Sequence, residues 1–229
     1  MKKLQIIVAM ALLAAGTFGA TTASADQLVL EGQILGVVSQ DQGFSDLSGE
    51  AGTGGVGLIA GYRLGAVPEV SVLVSYQLDG MSGQRFGNQV GVDWARHRLL
   101  LGGEYGLDFL DGRLRPLARL GVGYSGQKLA MRVDGVEYQD RGHGFAVQAQ
   151  GGAEVGLTSA QSTSPLSVGA NFLMGYLWQT PASFGAMSST SAPEEPTEED
   201  PWSRATYDAG SLSASGVTWN LGVTLRYRL

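Results

Sequence analysis

The sequence predicts an all-β chain: an eight-stranded antiparallel up-and-down transmembrane β-barrel. Three observations predict it. Eight segments alternate between apolar residues and polar or small ones, the period of two that marks a strand. The connections between them alternate in length, as they do where short periplasmic turns and long external loops join membrane-crossing strands. The 229 residues include 35 glycines and no cysteine; that much glycine argues against helices, and an exported chain without cysteine takes no stability from disulfides.

Residues 1–25 stand apart. Lys2 and Lys3 precede the apolar run Ile6 to Ala15, and Ala23-Ser24-Ala25 forms a small-residue cleavage site. This is the anatomy of a secretory signal peptide, and the apolar run is short for a membrane anchor. The barrel domain is expected over 26–229. With the two leader lysines removed from fifteen cations, against twenty-one acids, its net charge is −8. Lys128 is its one lysine; the other cations are arginine, the residue suited to buried pairing with carboxylates. An acidic chain offers no footprint for nucleic acid.

The eight segments follow in order. Segment 28–38 sets Leu28, Leu30, Ile34 and Val38 against Glu31 and Gln33, and a long loop follows at 39–53. Segment 54–64 sets Val56, Leu58 and Tyr62 against Gly57 and Arg63, then turns through 65–68. Segment 69–79 carries Val70 to Leu78 against Ser71, Ser75, Gln77 and Asp79, before a long loop at 80–94. Segment 95–107 sets Leu99, Leu101 and Tyr105 against Arg96, Arg98 and Glu104, with a short turn at 108–113. Segment 114–125 sets Leu120, Val122 and Tyr124 against Arg115, Arg119 and Ser125. The long connection 126–143 contains Val133-Asp134-Gly135-Val136, a hairpin signal, so the flanking strands are expected to extend as a ribbon. Segment 144–157 sets Phe145, Val147 and Val155 against Gln148, Gln150 and Glu154, with a short turn at 158–165. Segment 166–179 sets Phe172, Met174, Tyr176 and Trp178 against Asn171 and Gln179, and the longest loop spans 180–214. Segment 215–229 sets Trp219, Leu221, Val223, Leu225, Tyr227 and Leu229 against Asn220, Gly222, Thr224, Arg226 and Arg228.

The loop lengths assign direction: odd strands run outward and even strands return. Tyr76, Tyr124, Tyr176 and Trp178 then end outward strands, and Trp219 begins a returning one. Tyr62, Tyr105 and Tyr227 lie late in returning strands. That predicts two aromatic girdles, one at each interface. Alternation alone also fits a soluble eight-stranded ligand carrier with its apolar side inward. Scarce lysine, girdle placement and polar stripes of Gly, Ser, Gln and Asn favour the apolar side facing lipid.

The export signal, the eight alternating strands and the stretch RPLARLGVGYSG at 115–126 resemble the small outer-membrane β-barrel proteins related to the transmembrane domain of OmpA. NLGVTLRY at 220–227 resembles the C-terminal assembly signal of that family, carried here by Asn220, Gly222, Leu225 and Tyr227. Leu229 departs from the terminal phenylalanine common there. The resemblance implies a location in the cell outer membrane among its lipid and lipopolysaccharide, insertion by the barrel assembly machinery, and a structural, adhesive or surface-protective role. The expected state is a monomer.

The inward charges are Glu31, Arg63, Asp79, Arg96, Arg98, Glu104, Arg115, Arg119, Glu154, Arg226 and Arg228. An eight-stranded bore is just wide enough for side chains to fill it, so these are expected to form a salt-bridge core rather than a solute channel. Glu104 and Glu154 are expected as central partners of Arg96, Arg115 and Arg119. The alternative in another class is a lipid-modifying enzyme with His143, Asp140 and Ser125 at the outer rim; triad chemistry needs serine and histidine within hydrogen-bond reach, and no His-x-Ser spacing is present. The acidic run APEEPTEEDPW at 192–202 lacks the ordered spacing of a calcium loop. No motif calls for a cofactor or a bound metal.

Overall fold

The computed structural model describes residues 26–41, 52–85, 90–133, 136–158, 165–184, 186–189, 206–208 and 210–229. The proposed signal peptide, part of the first long loop and the acidic run at 192–202 lie outside these. The chain forms β1 (Gln27–Ser39), β2 (Gly52–Arg63), β3 (Val70–Arg85), β4 (Val90–Gly106), β5 (Leu114–Val133), β6 (Val136–Gly156) and β7 (Leu166–Gln179). Four short strands follow: β8 (Ala182–Ser183), β9 (Ala186–Ser189), β10 (Thr206–Asp208) and β11 (Ser211–Leu212). The last long strand is β12 (Gly216–Arg228).

Each long strand pairs antiparallel with the next long strand. β12 then pairs with β1, from Gln27↔Arg228 to Ser39↔Gly216. The sheet is closed, so no edge strand is left unpaired among these eight. Closure matters most in hydrocarbon, where an unpaired backbone group has no water to turn to.

The apolar parity points outward. Ile34, Leu101, Leu120, Leu221 and Val223 each leave more than half of their surface exposed. Their opposite-parity neighbours are buried: Glu31, Gln77, Asp79, Arg96, Arg98, Glu104 and Thr224 are at most 3% exposed. A soluble carrier has the reverse arrangement, with its oily side inward. The aromatics fall at two heights. Tyr76 and Tyr124 both lie opposite Leu99, and Trp219 lies opposite Gly36 and Met174. At the other end Leu28 lies between Tyr62 and Tyr227, and Tyr105 lies opposite Val70 and Ala118. Along β12 the eight steps from Trp219 to Tyr227 span roughly 27 Å.

The connection 80–94, expected as a loop, is strand over 80–85 and 90–94, and the strands flanking 133–136 extend as the expected ribbon. The pairing of β3 with β4 continues to Arg85↔Val90, and that of β5 with β6 to Val133↔Val136. β5 has 20 residues and β6 has 21, about twice the 9–11 needed to cross a bilayer. Over these extensions the parity inverts. Val92 and Trp94 turn inward on β4, Leu129 and Met131 on β5, and Tyr138 on β6, all of them buried. Asp93, Lys128, Arg132, Gln139 and Arg141 take the exposed side. The ladder is unbroken, and the inversion is what a change of surrounding medium along the strand requires. A strand leaving hydrocarbon for water must turn its apolar side inward, and the resulting phase slip reads as the end of a segment.

The inward apolar residues are covered from above. Ala182, Phe184, Leu212 and Ala214, on and beside β8 and β11, join Val92, Trp94, Leu129, Met131 and Tyr138 in one buried cluster. The described ends of the connection 180–214, residues 180–184 and 210–214, therefore fold back over the outer mouth. Beneath it, Val37, Leu100, Ala146 and Leu177 form a second apolar layer inside the bore.

Candidate functional site

The remainder of the bore is polar, and its side chains meet across it. In the closed sheet β1 and β5 lie on opposite walls, as do β4 and β12. Arg119 of β5 donates Nη1 and Nη2 to the two carboxylate oxygens of Glu31 on β1, at 2.9 and 2.6 Å. Its Nε donates to Glu104 on β4 at 2.8 Å. Arg115 lies 3.3 Å from Glu104, and Arg226 lies 3.8 Å from Glu104 on the far wall. Arg226 also donates to both oxygens of Glu154, at 3.0 and 2.5 Å. Neutral side chains complete the shell: Gln33 Nε2 and the Thr224 hydroxyl donate to Glu31 at 2.7 and 3.2 Å, and Asn171 donates to Thr224 at 2.8 Å.

Closer to the outer end sits a second, separate group. Arg96 donates Nε and Nη2 to Asp79 at 3.2 and 2.5 Å. Arg98 donates to the same carboxylate at 3.1 Å, and the Thr53 hydroxyl donates to it at 3.0 Å. Arg96 spans to Gln179 on β7 at 2.9 Å and to the Ala214 carbonyl of the cap at 3.2 Å. Its guanidinium stacks 5.0 Å from the centre of the Trp94 ring. Between the two groups run amide contacts: Gln77 to Gln148 at 3.2 Å, and Asn220 to Gln150 at 3.0 Å.

The placement corrects several pairings. Arg96 belongs to Asp79, in the outer group, and touches neither Glu104 nor Glu154. Glu154 serves Arg226. Arg228 is exposed at the inner end, where the final turn of strand meets the rim. Arg63 also lies at that rim, donating to Asp108 at 2.5 Å and to the Pro68 carbonyl. Asp108, which lies 3.8 Å from Arg115 as well, sits in a turn and so escaped a reading based on strand parity. Leu110, Asp111 and Gly112 all have positive φ (51°, 55° and 78°), and this tight left-handed turn holds Asp108 under the bore. The rim residues Arg63, Asp108, Arg115, Glu154, Arg226 and Arg228 line a cavity of about 80 Å³.

Five arginines are thus buried in the bore (Arg96, Arg98, Arg115, Arg119 and Arg226) with four acids (Glu31, Asp79, Glu104 and Glu154). The imbalance shows in orphaned guanidinium nitrogens: Arg98 Nε and Nη1, all three nitrogens of Arg115 and Arg226 Nη1 have no hydrogen-bond partner among the described residues, and Arg98 is the one of these that is fully buried.

The residues of the alternative triad are separated. Ser125 is fully buried on the lumen side, whereas His143 is exposed on the outer face, bonded to the Tyr124 hydroxyl. The sheet itself lies between nucleophile and base.

No protein-family model matches the chain, and no curated protein matches it in sequence. Among solved structures it resembles a major outer membrane protein from Thermus thermophilus, with a TM-score of 0.51 and 11% identity over 90% of this chain and 100% of that one. The fold is that of an outer-membrane β-barrel. Ail, the attachment invasion locus protein of Yersinia pestis, matches with a TM-score of 0.49 and 13% identity over 90% and 100% of the two chains. Neisserial surface protein A matches with a TM-score of 0.43 and 13% identity over 91% and 100%. These likenesses are of fold, and the eight-stranded barrel implied by the resemblance to the OmpA transmembrane domain is the barrel observed.

Proposed function

We propose that the chain is an outer-membrane protein whose bore is plugged and whose role is structural or at the cell surface, in adhesion or protection. The observation that carries this reading is the cross-bore pairing of Arg119 with Glu31 and Glu104, inside a barrel whose outer surface is apolar. A plugged bore leaves the protein no path for solutes. What it presents instead is the capped outer end, where β3 to β6 rise past the aromatic belt. Insertion by the barrel assembly machinery would read Asn220, Gly222, Leu225 and Tyr227 on β12, the strand that closes the seam with β1. Among the described residues the bore contains salt bridges and amides with no nucleophile and base in reach of each other, which supports a non-catalytic role. The test is fractionation followed by electrophoresis. Recovery with the outer membrane, resistance to detergent and a mobility shift on boiling are expected. Recovery as a soluble periplasmic protein with no heat shift would overturn the reading.

A further inference from the structure

The parity inversion fixes the height at which the outer face leaves hydrocarbon, and the residues there are unusual for this chain. Read across β4, β5 and β6, the outward face gives Leu101–Val122–Val147, then Leu99–Tyr124–Phe145. The next row is His97–Gly126–His143, and the one above it is Ala95–Lys128–Arg141. Beyond lies Asp93–Ala130–Gln139. Two apolar rows give way within one step to the chain's only two histidines and then to the barrel domain's only lysine, paired with an arginine.

Lys128 and Arg141 lie directly opposite each other on neighbouring strands, and both are exposed. Like charges so placed destabilise a sheet. Among the described residues neither is in an ion pair. Asp140 has the opposite parity, and its carboxylate accepts the backbone N–H of Arg141 at 2.7 Å. Asp93 lies on the next row and accepts the Ser82 hydroxyl at 2.5 Å. Just below, Gly126 leaves room for the row beneath the cations to close up. A Cβ there would collide with His97 Nε2 and lie 3.0 Å from the Tyr124 hydroxyl, which itself bonds His143 Nδ1. Two imidazoles and a phenol thus gather over one glycine, with two cations that are in no ion pair among the described residues above them and an apolar wall below.

We propose that this face, formed by Lys128, Arg141, His97, His143 and Tyr124, binds the phosphate-bearing headgroup of a lipid in the outer leaflet. The inference rests on the membrane reading of the barrel. The cations offset each other's repulsion by sharing one phosphate, the ring N–H and O–H groups donate to its oxygens, and the acyl chains lie along Leu99, Leu101, Val122 and Phe145. A cation beside a membrane surface contributes to anionic lipid attraction, and the apolar wall directly beneath distinguishes an anchored headgroup from a free anion.

The experiment uses the folded full-length mature barrel in non-ionic detergent and native mass spectrometry. The probes are bisphosphorylated lipid A, enzymatically dephosphorylated lipid A with the same acyl chains, and inorganic phosphate. The wild type is expected to retain the phosphorylated lipid, and to retain the dephosphorylated one on the order of 30-fold less. Lys128→Ala with Arg141→Ala should lower retention of the phosphorylated lipid by the same factor while keeping the heat shift on gels. Inorganic phosphate should neither bind nor displace. Equal retention of both lipids, an unaffected double variant, or phosphate binding as tightly as lipid would each overturn the proposal while leaving the barrel intact. A wild type that shows no heat shift and needs no detergent would overturn the membrane reading and this site with it.

Discussion

Arg119 on β5 and Glu31 on β1 join opposite walls of the barrel, through a two-pronged contact of 2.9 and 2.6 Å between residues 88 positions apart in sequence. Glu31 is 1% exposed, so neither group has water to fall back on if the other is removed.

Glu31→Gln or Arg119→Leu should therefore destabilise the barrel by about 3–5 kcal/mol, the cost of orphaning one member of a buried pair. Urea unfolding in detergent micelles, followed by tryptophan emission, measures it. The double variant Glu31→Leu with Arg119→Leu should recover a large part of that loss, because replacing a whole buried pair with apolar side chains is often neutral.

Asp79 and Arg98 should behave oppositely. Asp79→Asn strips the partner from Arg96 and Arg98 together, and should lower stability by about 3 kcal/mol or more. Arg98→Met removes a fully buried cation with two unpartnered nitrogens while Arg96 still holds Asp79, and should cost less than about 1 kcal/mol or stabilise. The temperature of the electrophoretic heat shift orders the two variants; a larger loss for Arg98→Met would contradict the assignment.

The outer and inner ion groups lie in series along one bore, with the layer of Val37, Leu100, Ala146 and Leu177 between cap and centre. The purified wild type should therefore be silent in planar bilayers. Steady conductance from the unmodified protein would show a path that this packing does not contain.

Tyr227 faces outward near the inner interface, and Asn220 holds Gln150 inside the bore at 3.0 Å. Tyr227→Ser should reduce the fraction inserted in cells while changing the unfolding midpoint of the refolded protein by only about 1 kcal/mol or less. Equal loss in both assays would make Tyr227 a packing residue and nothing more.

The sequence was most legible where a single medium surrounds a strand. Leu99, Leu101 and Tyr105 alternate with Arg98, Gly102 and Glu104 in constant phase, and β4 follows that phase through the belt. It was least legible where the medium changes. Val92, Trp94, Leu129 and Met131 alternate just as regularly, but with the apolar side turned in, so the extension of β3 and β4 was expected as a loop, and that of β5 and β6 was legible only through its turn residues. Partner choice in the bore was hidden for another reason. Parity says that Arg96 and Glu104 both face inward, but not at what height, because height depends on the stagger between strands. Arg96 stands opposite Asp79 in register, eight residues along both strands from the pair Ser71↔Glu104. Asp108 was invisible because a turn has no parity at all.

Orientation of the two strand faces is the claim on which every role above depends, and site-directed spin labelling tests it most directly. Nitroxides placed singly at Leu120, Val223, Arg119 and Thr224 in the lipid-reconstituted barrel would be challenged with oxygen, which concentrates in hydrocarbon, and with a water-soluble nickel chelate. Labels at Leu120 and Val223 should be relaxed by oxygen and shielded from nickel, whereas labels at Arg119 and Thr224 should be shielded from both. Strong nickel relaxation at Leu120 and Val223 would contradict the account.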